Sequence, residues 1–123
     1  PTEAIAVDVS FAAQPGVDPA KCGKLGGGPM IGMAPILNRP MTNRLLELAK
    51  EHEIPYSMEI MGGETGTNAD EIAVSRTGVP TAMVSIPLRY MHTPVEVVEL
   101  SDVQAVADLM AEFLREFDGE VGA

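Results

Sequence analysis

The sequence predicts an α/β fold, a three-layer sandwich built on a mainly parallel or mixed sheet. Three observations carry that reading. Residues 4–12 (AIAVDVSFA) and 81–88 (TAMVSIPL) are apolar, β-rich runs of strand length without strict polar alternation, which suits strands covered on both faces. Residues 40–53 and 102–117 instead repeat their apolar side chains at helical spacing. Strand-like and helix-like segments alternate along the chain, which favours helices laid on a sheet.

In order, the first strand is interrupted by Asp8. An isolated buried carboxylate costs several kcal/mol, so Asp8 is expected to be paired, hydrogen-bonded or bound to a cation. Residues 14–29 contain QPGVDP and KLGGGP and predict a long surface loop with turns and a tight backbone approach. GKLGGG lacks both the spacing and the Gly-Lys-Ser/Thr ending of a phosphate-binding loop. A short strand is expected at 30–37. A helix follows at 40–53, with Pro40 near its start and His52 as a solvated residue at its C-terminal end. Another strand is expected at 55–61, then a glycine loop. Thr67 or Asn68 caps a helix to about residue 76, closed by Gly78 and Pro80. After the 81–88 strand, PVEVVEL predicts a short strand. Ser101 is expected to cap the last helix, which presents Val103, Val106, Leu109, Met110, Phe113, Leu114 and Phe117 on one face.

A chain of 123 residues fits one small domain or a piece of something larger. Eighteen acidic residues against eight basic give a net charge of −10, which argues against nucleic acid and anionic membranes as partners. No apolar run reaches the roughly 18 residues of a membrane span, and no signal pattern opens the chain, so the expected location is cytoplasmic. The single cysteine, Cys22, has no partner for an internal disulfide.

Asp8, the Gly-Thr-Asn loop at 62–70 and His92, just past the 81–88 strand, are the candidates for chemistry. Ligands in such folds gather beyond the carboxyl ends of the strands, where three loops are expected here. A carboxylate and an imidazole are donors that zinc, cobalt and manganese share, but a catalytic zinc takes about three protein ligands. The chain has no His-x-Asp, Glu-Glu pair, His-Glu-x-x-His or Gly-x-Ser-x-Gly, so what it offers is half a metal site.

The stretches VDVSFA, PGVDPAKCGKLGGGPMI and IPYSMEIMGGETGTNADEIAVSRTGVPTAMVSIPLRYMHTPVEVVELSDV resemble the C-terminal part of the M42 dinuclear metalloaminopeptidases, and the likeness runs along nearly the whole chain. The resemblance implies a zinc-peptidase-like catalytic domain in a cytoplasmic enzyme that hydrolyses N-terminal residues from peptides. It implies two divalent metal ions (zinc, cobalt or manganese), with Asp8 binding one and His92 the other. It also implies a substrate pocket lined by Gly66, Thr67, Asn68 and Arg89, with Asn68 standing where many members carry aspartate. The family's other ligands, its general-base glutamate and its dimerisation domain precede the part that residues 1–123 resemble. The expectation is therefore a fragment, inactive alone, from a homo-oligomeric parent. The alternatives are a non-catalytic interaction module of the same fold, or an endoglucanase-labelled relative. Glycoside cleavage is disfavoured by the absence of tryptophan and the presence of only two tyrosines.

Overall fold

The computed structural model describes residues 1–117. Its elements are β1 (Ala4–Phe11), β2 (Met30–Met33), α1 (Arg39–Glu51), β3 (Ser57–Ile60), α2 (Asn68–Ala73), β4 (Thr81–Arg89), β5 (Val97–Val98) and α3 (Leu100–Glu116), with a 3-10 turn at Pro19–Lys21. The sheet runs in the order β1-β4-β2-β3, and β5 pairs with β4 off that path. β1 is parallel to β4, with Asp8 opposite Ser85, and β2 is parallel to β3, with Gly32 opposite Glu59. β2 meets β4 antiparallel, so the sheet is mixed.

Side chains alternate across each strand, and the two faces meet different helices. Ile31, Ala82 and Val84 point to the face covered by α1 and α3, where they pack with Leu45, Leu48, Leu109 and Phe113. Ala6 and Met83 point to the other face and pack with Ala69 of α2, Ala34 and Leu37. The three layers of the predicted sandwich are present. β4 is buried over nearly its whole length, as its unbroken apolar run implies.

β1 departs from expectation. It is an edge strand, not one covered on both faces, and Val7 and Phe11 are 45% and 42% exposed. An apolar run records what a strand can tolerate, not whether a neighbour is there to cover it. β2 ends at Met33, and the chain then turns, with Leu37 N–H donating to Ala34 O, so the strand expected at 30–37 is halved. α2 stops at Ala73, short of residue 76.

α1 starts as predicted, with Pro40 in its first turn and Asn38 accepting from Met41 N–H. His52 ends it, with Nε2 3.3 Å from Glu112 on α3. Ser101 does not cap α3; the residue before the helix is Glu99, which makes no side-chain cap bond. The buried stripe of α3 is Asp102, Val106, Leu109 and Phe113, while Val103, Leu114 and Phe117 are exposed.

The tight approach expected in the glycine loop is found at Gly28. Its φ is +79°, and a Cβ there would lie 1.9 Å from Pro55 O, so only glycine fits. Asp102, 1% exposed, holds this loop by accepting Gly26 N–H at 2.9 Å and Gly28 N–H at 2.8 Å. Two backbone donors satisfy a carboxylate that would otherwise be costly to bury.

Candidate functional site

Asp8, Ser10 and Ser85 share the α2 face of the sheet by strand alternation, and Arg89 follows on the same face of β4. Asp8 is half-buried and its Oδ1 accepts Val9 N–H at 2.8 Å, which meets the hydrogen-bonding expected of a carboxylate in this strand. Ser85 is fully buried, yet its Oγ has no hydrogen-bond partner. Ser10 Oγ donates to the carboxylate of Glu59 on β3, whose second oxygen is buried without a partner. Unsatisfied buried polar atoms are uncommon and mark this face as one built for something besides packing.

His92 stands three residues past the end of β4, in a turn where both it and Tyr90 adopt left-handed backbone, φ +63° and +61°. Such residues cost about 1–3 kcal/mol each and persist only where surroundings enforce them. Here Gln14 Oε1 accepts Tyr90 N–H at 2.8 Å, Glu96 Oε2 accepts His92 N–H at 3.1 Å, and Thr93 Oγ1 donates to Val95 O at 3.0 Å. The histidine side chain is exposed. Arg89, expected in the substrate pocket, donates from Nε to Ala13 O at 2.9 Å and so ties the end of β4 to the loop after β1.

The Gly66-Thr67-Asn68 segment is ordered by a residue the sequence reading did not single out. The Asp70 carboxylate accepts Thr65 N–H (2.8 Å), Thr65 Oγ1 (2.8 Å) and Gly66 N–H (2.9 Å). The backbone hydrogen bond from Thr65 leads the effects that hold its carboxyl below the usual carboxylate range. Gly66 takes φ +74°, and Thr67 caps α2 by accepting Ala69 N–H while its hydroxyl also reaches Met83 Sδ at 3.3 Å.

The three predicted loops do not share one end of the sheet. Because β2 and β3 run opposite to β4, the loop after β3 lies at the end where β1 and β4 begin, whereas His92 lies where β4 ends. Asp8 sits between them, mid-strand. Among the described residues no group of three or more His, Cys, Asp or Glu side chains is arranged to hold a metal ion. Asp8 and His92 have the donor chemistry of such a site but supply two donors, fewer than a catalytic centre needs. Glu59 was also missed, although its signal resembles that of Asp8: one carboxylate inside an apolar strand segment.

A family model for M42 glutamyl aminopeptidases matches residues 1–109. The chain belongs to the M42 family. The lysyl aminopeptidase of Pyrococcus furiosus is 39% identical over 116 residues, covering 94% of this chain and 34% of that protein. The fold is similar to that of a TET aminopeptidase from Thaumarchaeota archaeon SCGC AB-539-E09, with TM-score 0.87 and 29% identity over 96% of this chain and 34% of that one. An aminopeptidase from Desulfurococcus kamchatkensis gives TM-score 0.86 and 34% identity over 97% of this chain and 35% of that one. The M42 chain described here therefore spans about a third of the length of the relatives it matches.

Proposed function

We propose that these residues form the C-terminal portion of the catalytic domain of a metal-dependent aminopeptidase that removes N-terminal residues from peptides. The family match over residues 1–109 carries the reading, and the polar face around Asp8 supports it. In this reading Asp8 is a ligand to one divalent ion and His92 to the other, and the metal pair, zinc, cobalt or manganese, supplies Lewis-acid and water-activating chemistry when bound. The strained turn holds His92, while Asp70 keeps the Gly66-Thr67-Asn68 segment ordered beside the sheet face. Arg89 fixes the rim of the site through Ala13. The remaining ligands and the proton-transferring glutamate belong to parts of the parent outside these 123 residues, so the isolated chain is inactive.

The parent is proposed to be cytoplasmic and homo-oligomeric. No helix among the described residues is long and apolar enough to cross a membrane. The exposed Val7 and Phe11 on the edge strand β1 offer apolar surface for contact with other parts of the parent or another subunit.

The test is hydrolysis of aminoacyl-p-nitroanilides by the full-length parent and by residues 1–123 alone. The parent should be active, lose activity to a chelator and regain it with zinc, cobalt or manganese, while the short chain stays inactive. A parent indifferent to chelation, or an active short chain, would contradict the proposal.

A further inference from the structure

We propose that Ser85 is a positioning residue for Asp8: when an ion is bound, its hydroxyl donates to the Asp8 carboxylate and fixes the angle at which that carboxylate meets the ion; this rests on the aminopeptidase reading. Ser85 lies directly opposite Asp8 in the parallel β1–β4 pair, with both side chains on the α2 face. Neighbouring strands lie about 4.8 Å apart, so a serine and an aspartate opposed across such a pair are within reach of a hydrogen bond.

Two unfilled capacities face each other across this pair. Ser85 has no exposure, yet its Oγ has no hydrogen-bond partner. Asp8 Oδ1 accepts Val9 N–H at 2.8 Å, and nothing among the described residues donates to its second oxygen. A buried hydroxyl without a partner has lost its water and gained nothing in exchange, whereas alanine would fill the position free of that cost. Serine has three staggered χ1 wells and its hydroxyl hydrogen rotates, so Ser85 can turn toward β1 without moving backbone. On its other side stands Met30, whose thioether is a weak acceptor. Glu59 pairs with Gly32 from β3, so β2 lies between its free oxygen and Ser85. Asp8 is the strong acceptor that Ser85 faces.

A second donor changes what the carboxylate can do. An ionised carboxylate offers about four lone-pair positions. The bond from Val9 takes one and leaves the group free to rock about its broad terminal torsion. A hydroxyl donating from the β4 side stops that motion and keeps the remaining lone pairs directed at the ion. Removing such a partner from behind a ligand typically weakens metal binding about 10–100-fold. The effect should be confined to one ion, because His92, the proposed ligand of the other, lies past the end of β4 in a turn held by Gln14 and Glu96. Ser85 thus weakens the metal-free fold slightly and strengthens the metal-bound state.

The experiment titrates the metal-free full-length parent with cobalt(II), followed by its visible absorption, and measures the urea midpoint without metal. The wild type should fill two sites. Ser85→Ala should weaken one of them about tenfold or more, the same site that Asp8→Ala removes, and leave the other unchanged. Its metal-free urea midpoint should equal or exceed that of the wild type, since the deleted hydroxyl was unsatisfied. Unchanged affinity at both sites, or an equal loss at both, would overturn the proposal. So would a lowered midpoint or a failure to fold, which would make Ser85 a packing residue. If the wild type binds no cobalt, or Asp8→Ala keeps both sites, the metal-dependent reading itself fails and takes this inference with it.

Discussion

The two faces of the sheet are built on opposite terms. On the α1 and α3 side, Leu45, Leu48, Val84 and Leu109 are all fully buried and apolar, and the buried polar groups there, Thr42 and Asp102, are both hydrogen-bonded. On the α2 side, the same strands carry Asp8, Ser10, Ser85, Glu59 and Arg89, covered only in part by a six-residue helix. A face that leaves Ser85 Oγ and a Glu59 oxygen without partners gives up stability that an apolar face would keep. The separation suggests that α1 and α3 hold the fold while the α2 face is free to carry chemistry.

Truncation on the dry face should break the fold most. Leu48→Ala, at a position with no exposure, should destabilise residues 1–123 by about 3 kcal/mol, read as a shift in the urea midpoint at constant slope. A smaller change expected from Asp102→Ala would show how far one buried carboxylate stabilises the link between α3 and the glycine loop. Losing the bonds to Gly26 and Gly28 should cost about 2 kcal/mol, with faster amide exchange at both glycines. A cost below about 0.5 kcal/mol would mean that the loop is held by its own turns.

The smallest effect concerns Asp70 and depends on pH. Its carboxyl is held below its ordinary value in the folded chain, so its contribution is fully present above the unfolded-state carboxylate pKa. It is lost as pH falls through the lower folded-state value. Thr65 and Gly66 amides should therefore stay protected at neutral pH and lose protection only in acid, with little change in global stability. Asp70→Asn should remove much of that protection at every pH. Equal protection in the variant would show that the loop does not depend on this carboxylate.

Much of the secondary structure was legible in the sequence. The unbroken apolar run of β4 marked it as interior; Pro40 announced the start of α1, and of the two caps open for α2, Thr67 or Asn68, the structure uses Thr67. Local signals failed where pairing is long-range. Nothing in residues 4–12 says that β1 ends the sheet, and nothing in residues 30–37 says that β2 runs against β4. That reversal is why the loop after β3 does not join His92 at one strand end. Asp102 was not singled out in the sequence, because its partners lie 74 and 76 residues away. Asp8 and His92 were singled out as residues, but the left-handed backbone that sets the His92 turn has no signature in Arg-Tyr-Met-His-Thr.

The central claim, that one face holds the fold and the other carries the chemistry, is tested most directly by paired substitution in the full-length parent. His92→Ala, at an exposed turn, should lower kcat/KM by more than about a hundredfold, since losing even a residue behind a metal ligand costs 10–100-fold, while leaving the melting temperature within about 2 °C. Leu48→Ala should do the reverse, lowering the melting temperature by several degrees while the fraction still folded keeps near-normal kcat/KM. A His92→Ala parent with near-normal turnover, or one that unfolds as readily as Leu48→Ala, would contradict the account.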